Sequence, residues 1–93
     1  MLTASILIGN TDNKLTQLEW ATFVLETKAH VEAHAHRVHF FGAPPNYEVW
    51  QNTCWVIELH DDKLQPLKNG LTAIRKKFRQ DSVALLTSQT ELI

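Results

Sequence analysis

The sequence is poor in the residues that staple, kink or loosen a chain: 93 residues include one cysteine, three glycines and three prolines. A lone Cys54 excludes an intramolecular disulfide, so the expected setting is a reducing cytoplasm. Glycines this sparse form no phosphate-cradling loop, and there is neither a CxxC pair nor a nucleophile elbow. An excess of one charge is missing too: nine basic residues face ten acidic ones, for a formal net charge of −1. No global field therefore holds the chain to nucleic acid or to an anionic membrane. Apolar runs stay well short of the ~20 residues that span a bilayer. The opening MLTASILIGN also lacks the basic region and long apolar stretch of a signal peptide. A soluble protein without membrane association is the expectation.

What is present is ordinarily globular, with 44% hydrophobic and 20% charged residues. A chain of this length forms one domain, residues 1–93, burying ~60 to 65% of the surface its unfolded form exposes. Ala4 to Ile8 is short, apolar and ended by Gly9 and Asn10, which predicts a buried strand. Thr16 and Glu19 have the spacing of a capping box, with Leu15 and Trp20 at the staple positions, so a helix is expected from about Gln17 to about Ala33. Along it Leu18, Ala21, Leu25 and Ala29 recur at helical spacing and predict the core-facing stripe. Trp20, Val24 and Val31 fall on a different face, which reads either as a broad buried face or, with Phe23, as a patch for a partner.

Arg37 to Phe41 predicts a second strand. Thr53 to His60 predicts a third, with Trp55, Ile57 and Leu59 on one face and Cys54, Val56 and Glu58 on the other. The loop between them holds Pro44, Pro45, Tyr47 and Trp50, a stiffened segment with two large amphipathic contacts. Pro66 suits the first turn of a second helix, whose stripe is Leu67, Gly70, Leu71, Ile74 and Phe78. Gly70 in that stripe predicts close packing on the sheet. Val83 to Leu86 and Thr90 to Ile93 read as a last strand or as a small hairpin turning at Ser88 and Gln89.

The order strand, helix, strand, strand, helix, strand predicts an α+β fold. Its form would be the ferredoxin-like βαββαβ sandwich: an antiparallel sheet with two helices on one face and, as a variant, an extra C-terminal hairpin. That topology gathers Asn10, Asp12, Tyr47, Trp50, Gln51, Asn52, Arg79, Gln80 and Asp81 at one end of the sheet, the loop end. His30, His34, His36, His60, Asp61 and Asp62 gather at the other. The phrases ILIGNTDNKLTQLEW, WQNTCWVIEL and FRQDSVALLTSQTELI resemble those of small uncharacterised bacterial and phage proteins. The resemblance covers about half the chain and implies no activity.

Several chemistries compete at these two ends. His34, His36 and His60 suggest a metal site, although their spacing matches no named zinc motif and boundary histidines are often merely exposed. Lys68, Arg75 and Arg79 on one flank of the second helix, with Tyr47 and Trp50, suggest a surface for nucleic acid or an acidic protein. The bland reading is a solvated helix face. Asp12, approached by Asp81, sits near where small ferredoxin-like nucleases place a metal-binding acid, but Gly9 and Asn10 hold the strand end itself, and Asp12 equally serves the turn. Cys54 lies mid-strand, where it reads as a small hydrophobe.

No cofactor is implied, and catalysis is not the favoured reading. The sequence therefore predicts a small non-catalytic interaction protein, such as a phage inhibitor of a host or defence complex, that binds a protein partner or a second copy of itself. Its candidate contact residues are Asp12, Tyr47, Trp50, Gln51, Asn52, Lys68, Arg75, Arg79 and Asp81. A nucleic-acid-binding or metal-dependent nuclease-like domain is the alternative.

Overall fold

The computed structural model describes residues 1–44 and 51–93. The expected contacts of Tyr47 and Trp50 lie outside the described residues. Strand β1 spans Leu2–Gly9, helix α1 Gln17–His34, β2 Arg37–Gly42 and β3 Asn52–Leu59. After a single 3₁₀ turn at Asp61–Lys63 come helix α2, Leu64–Lys77, and β4, Ala84–Gln89. The strands form one antiparallel sheet in the order β2-β3-β1-β4.

Alternation along the two central strands decides which face of the sheet is covered. Leu2, Ala4, Ile6 and Ile8 of β1 and Trp55, Ile57 and Leu59 of β3 are buried against Phe23 and Val31 of α1 and Leu67 and Leu71 of α2. Both helices thus share one side of the sheet. Side chains as large as Trp55, Ile57 and Leu59 each contribute roughly 1.5–3 kcal/mol when fully buried, so this single layer supplies most of the stabilisation.

Helix α1 begins where the sequence predicts, and for the predicted reason. Thr16 Oγ1 accepts from the Glu19 amide at 3.1 Å, while Glu19 Oε1 accepts from the Thr16 amide at 3.1 Å. Its buried face is not the expected stripe. Leu18 is 79% and Leu25 66% exposed, and Ala21 and Ala29 are exposed with them. The core is entered by Phe23, Thr27 and Val31, with Trp20 and Val24 partly buried beside them. Positions 20, 23, 24, 27 and 31 also follow helical spacing, but polar Thr27 interrupts the pattern. Phe23 is therefore core and not part of a partner patch.

Three more expectations change. Gly70 packs close to α1 and not to the sheet, because a Cβ there would overlap the His30 ring. The C-terminal hairpin does not form: Ser88 and Gln89 pair with Thr3 and Leu2, so one strand runs straight through the expected turn. Arg79 lies beyond the helix in which the sequence places it. Helix α2 ends at Lys77, and Arg79 takes φ 57°. Its amide donates to Lys76 O at 3.2 Å and that of Gln80 to Arg75 O at 2.9 Å. This is the bond pattern of a Schellman cap, with arginine at the position glycine usually fills.

Candidate functional site

Two surfaces emerge, one polar at the loop end and one apolar on the sheet face that neither α1 nor α2 covers. The loop end is built around Asn10, which is buried. Asn10 Oδ1 accepts from the Leu15 amide at 3.0 Å, and its Nδ2 donates to Leu15 O at 3.1 Å and to Gln51 Oε1 at 3.0 Å. Gln51 also donates to Gln17 Oε1 at 2.7 Å. These amides satisfy one another and latch the β1–α1 connection to the start of β3, with Gln51 as the bridging residue.

Beside the latch lies a shallow polar cleft of about 280 Å³, lined by Gly9, Asp12, Asn52, Asp81 and Ser82 among others. Asp12 and Asp81 do meet there, but through a cation of the chain itself. Lys14 Nζ stands 3.3 Å from Asp81 Oδ2 and 3.7 Å from Asp12 Oδ2. The ammonium bridges the two carboxylates. Because all three groups are well exposed, the pairs contribute little to stability. Asn52 lines the same cleft and is exposed.

The three basic candidates do not share a flank. Lys68 and Arg75 border a groove of about 360 Å³ between α2 and β4, floored by Leu71, Val83 and Leu85. Arg79 turns the other way and donates to Glu19 Oε2 at 2.7 Å. That guanidinium, together with the Thr16 amide, holds the Glu19 carboxyl below the usual carboxylate range. Lys77 is likewise paired, with Glu26, at 2.7 Å.

At the opposite end the histidines form two pairs and no chelate. The rings of His30 and His34 lie 4.3 Å apart, and His34 Nδ1 bonds to His30 O at 2.8 Å. His36 and His60 are 4.8 Å apart, brought together by the β2–β3 pairing as expected. Among the described residues no three His, Cys, Asp or Glu side chains come together as metal ligands, so the His34, His36 and His60 set does not assemble.

The second surface is one the sequence reading missed. Phe40 stands opposite Val56, Val56 opposite Ser5, and Ser5 opposite Leu86, giving a row across all four strands. Leu7 lies in the next row, between Cys54 and Ala84. Phe40 is 54%, Leu86 60% and Leu7 40% exposed. The Phe40 ring covers Gly42, and an apolar depression of about 210 Å³ opens among Leu7, Phe40, Gly42, Pro44 and Cys54. Cys54 is half-buried in it. The signal lay in the unbroken apolar run Ile6 to Ile8: a strand with one wet face would alternate, and Leu7 does not.

No protein-family model matches this sequence, and no curated protein matches it.

Proposed function

We propose that the chain is a small non-catalytic interaction protein on a ferredoxin-like frame, and that a protein partner docks on the uncovered face of its sheet. Support for the frame comes from the strand order, which reads β4-β1-β3-β2 from the other edge, antiparallel throughout. Each helix joins two strands that have one strand between them. A phage-encoded inhibitor of a host complex fits this size, but that origin rests on the resemblance of sequence phrases alone.

The docking face rests on one observation, exposed Phe40, Leu86 and Leu7 on one face of the sheet, with half-buried Val56 and Ser5 between Phe40 and Leu86. Contiguous apolar surface of this kind is costly in water and marks interaction sites in monomeric domains. Phe40 is the natural anchor, since aromatic side chains bring the largest contact area for the least lost rotamer freedom. The nucleic-acid reading has less behind it. Of the three basic candidates, Arg79 is paired with Glu19, and nearby Lys77 is paired with Glu26.

The test is capture of partners from cells by tagged wild type, Phe40→Asp and Lys76→Glu, followed by reconstitution of any co-eluting protein from purified components. The wild type and Lys76→Glu should retain one partner that Phe40→Asp loses. A partner held equally by all three, or none held by the wild type, contradicts the proposal.

A further inference from the structure

β4 is an edge strand without the features that normally protect one. Ala84–Gln89 reads ALLTSQ, with no charge and no proline, and its pairing with β1 is unbroken. The other edge is blunted: β2 carries Arg37 and a register shift between Val38 and Phe40. The direction of the free backbone groups in β4 follows from one bond. Thr90 donates to Met1 O at 3.3 Å, and in an antiparallel ladder the bonding residues alternate. Ala84, Leu86 and Ser88 therefore bond inward to β1, and Leu85, Thr87 and Gln89 turn their N–H and C=O outward.

Directly beside this edge lies the groove between α2 and β4, with an apolar floor of Leu71, Val83 and Leu85 and a basic rim of Lys68 and Arg75. The chain carries its own complement to it. Past β4, Glu91 is exposed, and Leu92 and Ile93 are the most exposed large apolar residues among those described. By alternation Glu91 continues the series Leu85, Thr87, Gln89, on the side of the sheet where the groove opens.

We propose that a second copy of this chain pairs with the first through β4, antiparallel about a two-fold axis at Thr87, with Glu91 of each copy entering the α2/β4 groove of the other. This goes beyond the partner-binding reading, since it uses a different surface and leaves Phe40 and Leu7 uncovered. With Thr87 opposite Thr87, Leu85 faces Gln89 and Val83 faces Glu91, so that carboxylate arrives beneath Arg75 twice by symmetry. Sliding the pair so that Leu86 faces Leu86 would bring Glu91 toward Asp81, like charge on like, which disfavours that register. The charge match also selects the occupant. Glu91 sets one carboxylate against the basic rim of each groove, Lys68 and Arg75.

Sedimentation velocity across a wide concentration range tests this with the full chain. Wild type should dimerise reversibly. Thr87→Lys should raise the dissociation constant tenfold or more, because it places two like charges opposite each other on an exposed position and leaves the β1 ladder intact. Glu91→Arg and Arg75→Glu should each weaken the dimer, and the double variant should recover most of the loss, a rescue that a folding defect cannot produce. Phe40→Asp should leave the dimer unchanged. A wild type monomeric at every concentration overturns the proposal, as does a dimer indifferent to Thr87→Lys. A dimer lost with Phe40→Asp but not with Thr87→Lys would instead place self-association on the open face.

Discussion

His30 lays its imidazole where a Cβ on Gly70 would stand, with Nε2 3.0 Å from the carbonyl oxygen of Leu67. Helix propensity alone favours Gly70→Ala by about 1 kcal/mol. Here the added methyl displaces the ring and breaks its bond to Leu67, an overpacking that costs about 1–3 kcal/mol and outweighs the gain. Gly70→Ala should therefore destabilise the protein, while the same change in a His30→Ala background should stabilise it. Urea unfolding of the four proteins in a double-mutant cycle measures the change of sign.

Thr27 is fully buried, and its hydroxyl has no hydrogen-bond partner among the described residues. Thr27→Val preserves shape and β-branching and removes an unsatisfied polar atom, whose burial costs about 1–3 kcal/mol. The variant should raise the unfolding free energy by about 1 kcal/mol with an unchanged denaturant slope. An equal loss would mean that the hydroxyl is satisfied after all.

Arg79 holds a left-handed backbone conformation at φ 57° that costs a residue with a Cβ about 1 kcal/mol. Arg79→Gly relieves that strain and gives up an exposed ion pair with Glu19, a weaker contribution in water. The net effect should be a small gain in thermal midpoint, larger at high salt, where the wild-type pair is screened.

The Glu19 carboxyl is held below its ordinary range first by Arg79, then by the Thr16 amide. Its folded pKa is depressed, so its contribution is present above the unfolded value, ordinarily ~4.3, and is lost as pH falls through the folded one. The thermal midpoint of wild type should exceed that of Glu19→Gln at neutral pH in low salt. The gap should stay level down to the ordinary glutamate range and close as pH falls further. A gap independent of pH would show that the carboxylate charge plays no part.

Features carried by local chemistry were legible in the sequence. Thr16 and Glu19 announce the start of α1 because a capping box needs only four consecutive residues, and the alternation through Trp55, Ile57 and Leu59 shows which face of β3 is inside. The meeting of Asp12 with Asp81 follows once the topology is assumed, but not Lys14 between them, since an ion pair leaves no periodic mark. The orientation of α1 was misread because apolar residues occur on both of its faces, and the stripe that includes Thr27 is the one that packs. The open apolar face was hidden by strand registry: Phe40, Leu7 and Leu86 are far apart in the chain and become neighbours only through three ladders.

The central claim is that a partner covers the sheet face holding Phe40 and Leu7, and the single cysteine reports on it. Cys54 lies in the depression those residues form and is half-buried in the free protein. Maleimide labelling of Cys54 should proceed readily in the free chain and slow tenfold or more in the purified partner complex, with no slowing on β4-mediated dimerisation. Equal labelling rates in the free and partner-bound chain would contradict the account.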